Sequence, residues 1–186
     1  MKSVQLLALA FLISTLTFAQ EFKNTQKVYL GVGVDQFYNC KLLKSGNIIL
    51  VGRTDSHRNG GHQNKDGWAL MIDSSLNTLL SKAIGGVSKT DRFWDVKEKP
   101  SGDLVFVGSS GSFGGSENIY VVQTDSNLNL RDSYNYGELG YESAYDIELQ
   151  NNGGWTLIGD TRSTYKKGNS QNNLVIVRAD SCGRPL

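Results

Sequence analysis

The amino-acid sequence predicts an all-β fold assembled from three copies of one unit of about fifty residues, and three observations carry that expectation. Glycines recur in pairs six residues apart, at Gly46 and Gly52, Gly102 and Gly108, and Gly153 and Gly159, with steps of 56 and 51 residues between successive pairs. Each copy closes on Asp-Ser, at Asp73-Ser74, Asp125-Ser126 and Asp180-Ser181. Beyond residue 19 no stretch places apolar residues at a 3.6-residue period between helix caps, so strands are the expected elements.

The first strand of each copy starts at an acidic residue eleven positions before the first glycine of its pair. The three copies read Asp35-Gln36-Phe37-Tyr38-Asn39-Cys40, Asp91-Arg92-Phe93-Trp94-Asp95-Val96 and Glu142-Ser143-Ala144-Tyr145-Asp146-Ile147. A turn follows in each, Lys44-Ser45-Gly46-Asn47, Pro100-Ser101-Gly102-Asp103 and Asn151-Asn152-Gly153-Gly154, built from residues that pre-set or tolerate turn geometry. The second strand is the short apolar run Ile48-Ile49-Leu50-Val51, Leu104-Val105-Phe106-Val107 or Trp155-Thr156-Leu157-Ile158, a composition that suits a strand covered on both faces. A polar loop of variable length leads to the third strand, Trp68-Ala69-Leu70-Met71-Ile72, Tyr120-Val121-Val122-Gln123-Thr124 or Val175-Ile176-Val177-Arg178-Ala179. A fourth segment follows the first two Asp-Ser turns, as Leu80-Ser81-Lys82-Ala83-Ile84-Gly85 and Arg131-Asp132-Ser133-Tyr134-Asn135-Tyr136-Gly137.

The third copy lacks that segment, and its counterpart, Gln26-Lys27-Val28-Tyr29-Leu30-Gly31, precedes the first copy. The units therefore span about 32–86, 87–138 and 139–186, with residues 26–31 expected as a permuted strand that completes the last sheet. Radial repetition of four-stranded sheets makes a β-propeller. Over residues 28–181 the pattern resembles the blade repeats of about fifty residues in exported bacterial β-propeller proteins. That resemblance implies a scaffold or interaction surface and brings no catalytic residues with it. Propellers have about four to eight blades. Three blades imply a ring completed by a second copy with its leading strand exchanged, a piece of a longer ring, or an open arc with uncovered faces.

Residues 1–19 read as a secretory leader: Lys2, a mostly apolar run over residues 4–16, and small residues at Thr17 and Ala19, with cleavage after Ala19. The run is shorter than the roughly 20 residues of a membrane span. A secreted or periplasmic location is expected, with residues 20–186 as one domain. Without the leader, 18 basic and 18 acidic residues balance, leaving no electrostatic footprint for nucleic acid or an anionic membrane. Cys40 and Cys182 could form a bridge tying the chain ends together or stand as two thiols, with Cys40, aligned with Val96 and Ile147, a small core residue.

Candidate chemistry is sparse. Asn39, Asp95 and Asp146 share one position of the unit, where a ring would gather them at its axis to hold a cation or a sugar, or where each bonds to a neighbouring turn. Asp73, Asp125 and Asp180 read as Asx turns. The loop over residues 55–66 holds both histidines, His57 and His62, but His57 and Asp66 stand where a calcium loop needs an oxygen ligand and a bidentate Glu, so a solvated loop is expected. Tyr38, Trp94, Tyr145, Trp68 and Tyr120 read as core aromatics or as stacking platforms for a sugar, and Trp155 as core. No nucleophile elbow, phosphate-cradling loop or His-Glu-x-x-His motif is present, and Ser109, Ser110 or Asp95 could meet a histidine only through the fold. The expectation is a binding or scaffolding module without catalytic activity, cofactor or metal, with a protein or carbohydrate ligand, a tendency to homo-oligomerise, and a lectin-like module or a glycan-processing enzyme as alternatives.

Overall fold

The computed structural model describes residues 26–29, 31–56, 64–87, 89–113, 116–137, 140–162 and 172–186. The expected leader and both histidines lie outside the described residues. Among these described residues eleven strands form three antiparallel sheets. Sheet 1 holds β1 (Gln36–Leu42), β2 (Ile48–Thr54), β3 (Asp66–Ile72) and β4 (Thr78–Ile84) in sequential order. Sheet 2 holds β5 (Asp91–Glu98), β6 (Leu104–Ser110), β7 (Asn118–Thr124) and β8 (Leu130–Tyr136). Sheet 3 has three strands, β9 (Glu142–Leu149), β10 (Trp155–Thr161) and β11 (Asn173–Ala179).

The two glycines of each pair serve different ends. Gly46, Gly102 and Gly153 adopt φ of 84°, 86° and 85°, left-handed values that an L side chain resists. Gly52, Gly108 and Gly159 lie so close to the carbonyl oxygens of Gln36, Arg92 and Ser143 that a Cβ would collide with them. Opposite each of these second glycines the first strand bulges: the register skips Tyr38, Trp94 and Tyr145. The acidic residue that opens each first strand accepts a hydroxyl bond from the end of the second strand, nineteen residues on: Thr54 to Asp35 at 2.5 Å, Ser110 to Asp91, and Thr161 to Glu142 at 2.9 Å. The Asp of each Asp-Ser closes a turn by accepting two backbone N–H bonds, from Ser75 and Asn77, Asn127 and Asn129, or Cys182 and Arg184.

Each sheet has a back face and a front face, because side chains alternate along a strand. The front of sheet 1 (Ile49, Val51, Ala69, Met71) packs on the back of sheet 2 (Phe93, Leu104, Phe106, Tyr120, Val122), and the front of sheet 2 (Val105, Val107, Ile119, Val121) packs on the back of sheet 3 (Ile147, Trp155, Leu157, Ala179). Each fully buried Leu, Val or Phe in these layers contributes about 1.5–3 kcal/mol by leaving water. Trp68, Leu70 and Ile72 on the back of sheet 1 are buried with Phe37 and Tyr29 beside them. Cys40 is exposed where its counterparts Val96 and Ile147 are buried. Among the described residues no sheet precedes sheet 1 to cover that position, which corrects the core reading of Cys40. Cys182 is exposed too, and both are free thiols.

The permuted strand is the other correction. Residues 26–29 form no strand and do not pair with β11. The Tyr29 hydroxyl and the Lys27 ammonium instead donate to the Leu76 carbonyl of sheet 1, both at 2.8 Å. Sheet 1 lies at the opposite end of the stack from sheet 3, so this segment cannot close its own last sheet.

Ala at Gly108 should destabilise by about 3 kcal/mol, because the bulge must move, while Ala at Gly102, which has open space but a positive φ, should cost about 1 kcal/mol in urea unfolding. The Asp125 carboxyl sits below its usual pKa because the Asn129 side chain and then the Asn129 backbone N–H hold its charged form. A folded pKa below the unfolded one gives stability that is full above about pH 3.8 and is lost as pH falls through the lowered value. The melting-temperature gap between wild type and Asp125→Asn should therefore be present at pH 6 and shrink below pH 4.

Candidate binding site

β1, β5 and β9 are the first strands of their sheets and lie side by side along one edge of the stack. The bulges on these strands turn the skipped aromatic and the polar residue after it out of the normal alternation. The result is two parallel rows that cross the three sheets. In the aromatic row Tyr38 stacks on Trp94 with ring centroids 4.2 Å apart, and Trp94 meets Tyr145 edge-on at 5.6 Å. In the polar row the Asn39 Nδ2 donates to Asp95 Oδ1 at 2.8 Å, and Asp95 is hydrogen-bonded in turn to Asp146. The shared position therefore does bring Asn39, Asp95 and Asp146 together, and they bond to one another and to lysines.

Lys97 holds this row electrically. Its Nζ lies 3.3 Å from Asp95, 3.4 Å from Asp146 and 2.9 Å from Glu148, and Lys41 adds a contact of 3.7 Å to Asp95. Burial alone would depress the Lys97 pKa, but the Glu148 hydrogen bond and the Asp95 and Asp146 charges raise it. Burial raises the Asp95 carboxyl, as does its bond to Asp146, while Asp146 is lowered first by that same bond. Asp95 is thus the member of the pair that holds a proton more readily. Among the described residues no group of three or more His, Cys, Asp or Glu is arranged to hold a metal ion.

Beside these rows, between sheets 2 and 3, a cleft of about 270 Å³ opens. Trp94, Tyr141 and Tyr145 supply rings, and Arg92, Glu117, Asp160 and Arg162 supply charge. Tyr141 and Tyr145 are 58% and 46% exposed, so their faces are available to a ligand. The polar groups are held in place: Arg92 pairs with Glu117 at 3.2 Å, Ser109 donates to Glu117 at 2.6 Å, Trp94 Nε1 donates to Ser143 at 3.1 Å, and Asn172 donates to Asp160 at 3.1 Å. The Arg162 guanidinium lies 5.9 Å from the Tyr141 ring centroid, within cation–π range. The Arg92 Nε is buried without an acceptor. Burial, and then Asp160, raises the Tyr145 phenol, keeping it a neutral donor and acceptor.

The aromatics named from the sequence divide. Trp68, Tyr120 and Trp155 are core, whereas Tyr38 and Trp94 are half-buried and Tyr145 is exposed. Ser110 bonds to Asp91 and Ser109 to Glu117. Sequence reasoning missed Arg92, Glu117, Tyr141, Asp160 and Arg162, which come from two sheets and four separate stretches of chain and carry no common spacing. No protein-family model matches the chain, and no curated protein matches it significantly.

Replacing Lys97 by Met leaves three carboxylates without their shared cation. The expected loss is about 2 kcal/mol in urea unfolding, discounted for the partial exposure of the pairs, and it should shrink as pH falls and Asp95 and then Asp146 protonate.

Proposed function

We propose that this chain is an exported β-propeller-like binding module that recognises its ligand in the cleft between β5 and β9 and does not transform it. The single observation behind this reading is the cleft itself: exposed tyrosine faces beside Trp94, ringed by fixed donors and acceptors of both charges. Such a surface suits a carbohydrate. The weakly polar C–H faces of a pyranose stack on aromatic rings, and its hydroxyls need donors and acceptors in alternation, which Arg92, Glu117, Asp160 and Arg162 provide. Glu117 is tied to Arg92 and Ser109, and Asp160 to Asn172, an arrangement that orients them as acceptors. The three stacked sheets with their first strands gathered at one edge are what a propeller-like reading requires.

The test is a calorimetric titration with neutral oligosaccharides, followed by assay for newly released reducing ends. A binding module should give saturable binding that Tyr141→Ala weakens at least tenfold without lowering the melting temperature by more than about 2 °C. No released reducing ends should appear. Turnover abolished by Glu117→Gln would replace this reading with a glycan-processing enzyme, and absence of binding across the panel would remove the carbohydrate.

A further inference from the structure

Two vacancies in this molecule are complementary. The first is the outer edge of β11. In sheets 1 and 2 the Asp-Ser turn leads into the fourth strand, which pairs Thr78 with Ile72 and Leu130 with Thr124. The third turn starts the same strand: Asp180 N–H donates to the Arg184 carbonyl, Pro185 bridges Ala179, and Leu186 N–H donates to the Arg178 carbonyl at 2.8 Å. Pro185 and Leu186 thus fill the first two of seven fourth-strand positions. Because the Arg178 carbonyl points to this edge, the alternation along a strand sends the backbone groups of Ile176 and Leu174 the same way. No strand among the described residues pairs with them. Beside them lies a groove of about 490 Å³, lined by Tyr136, Val175, Ile176, Arg178 and Leu186.

The front face of sheet 3 is open as well. Ile158 and Ile176 are 46% and 60% exposed, whereas the aligned residues are fully buried: Val51 and Ala69 in sheet 1, Val107 and Val121 in sheet 2. At both junctions inside the chain such a front face is covered by the back face of the following sheet.

The second vacancy is the segment before sheet 1. Tyr136, the last residue of β8, lies six residues before Glu142 and donates its hydroxyl to the Gly183 carbonyl in the third turn of the next sheet, at 2.9 Å. Tyr29 lies six residues before Asp35 and donates to the Leu76 carbonyl, at the matching place in the turn of sheet 1. Tyr29 therefore occupies, against sheet 1, the place that Tyr136 occupies against sheet 3. It is Tyr29, rather than Gly31, that sets the register of this segment. Residues 26–29 stand where the fourth strand of a preceding sheet would run, and among the described residues no such sheet is present.

We infer that a second copy of this chain supplies that sheet: residues 26–29 of each copy pair with β11 of the other, and the part-buried Phe37, Ile48 and Leu50 on the back of sheet 1 dock on the front of the other copy's sheet 3. By the β8 pattern, Tyr29 faces Leu174 and Lys27 faces Ile176, in the stretch of edge left free by Pro185 and Leu186. Two such joints close a two-fold ring of six sheets, within the propeller range. The contact adds a strand to an exposed edge, a mode in which main-chain bonds give affinity.

The full chain, expressed so that any processing of residues 1–19 occurs, should scatter light at twice its single-chain mass. Ile176→Pro and Lys27→Pro each remove one backbone donor from both joints, and each should weaken dimerisation at least tenfold. In the wild-type dimer the Leu174 and Ile176 amides should resist hydrogen exchange and lose that protection on dilution. A wild-type chain that stays at single-chain mass, a dimer indifferent to both prolines, or Leu174 and Ile176 amides that exchange freely at high concentration would overturn the inference.

Discussion

One close approach governs this molecule: the second glycine of each pair lies under a carbonyl of the neighbouring first strand, at Gly52 under Gln36, Gly108 under Arg92 and Gly159 under Ser143. No side chain fits between them. The approach accommodates the bulge at Tyr38, Trp94 and Tyr145, and the bulge turns those rings and the polar residues after them out of the alternation that would otherwise send them into a sheet–sheet layer. The stacking of Tyr38 on Trp94, the bond from Asn39 to Asp95 and the wall of the cleft all follow from that local distortion. The acid-to-hydroxyl bond at the start of each first strand pins the distortion from the other side.

Much of the fold was legible because local chemistry recurs. Strand, turn and strand were readable from Gly46, Gly102 and Gly153 between apolar runs, and the Asx turns from Asp73, Asp125 and Asp180. The bulge was not readable, because a glycine needed for close approach looks the same as a glycine needed for a turn until the opposing carbonyl is located. Missing it made Tyr38, Trp94 and Tyr145 resemble Trp68 and Tyr120, although only the latter two are fully core. The register of the leading segment was misjudged by one residue for a related reason: Gly31 resembled Gly85 and Gly137, whereas the spacing from Tyr29 to Asp35 and a phenol bond set the register.

The site was less legible than the fold. Asn39, Asp95 and Asp146 were visible as one recurring position, and they meet; what the sequence concealed is that Lys97 binds Asp95, Asp146 and Glu148 together. The residues of the cleft arrive from β5, β9, β10 and the stretches just before β7, just before β9 and just after β10, so their convergence depends on how sheet 2 packs on sheet 3. The same packing rule, front on back, also marks the face that the described sheets leave uncovered: apolar residues are exposed on the front of sheet 3 at positions that are buried in sheets 1 and 2.

The dependence on the bulge can be measured directly by nuclear Overhauser contacts between β5 and β6 in the isotopically labelled protein. The account predicts cross-strand contacts from Phe93 to Gly108 and from Asp95 to Val107, with Trp94 skipped and its ring protons close to Tyr38 and Tyr145. An unbroken register that pairs Trp94 across from Val107 or Gly108, with its ring in the layer between sheets, would contradict it.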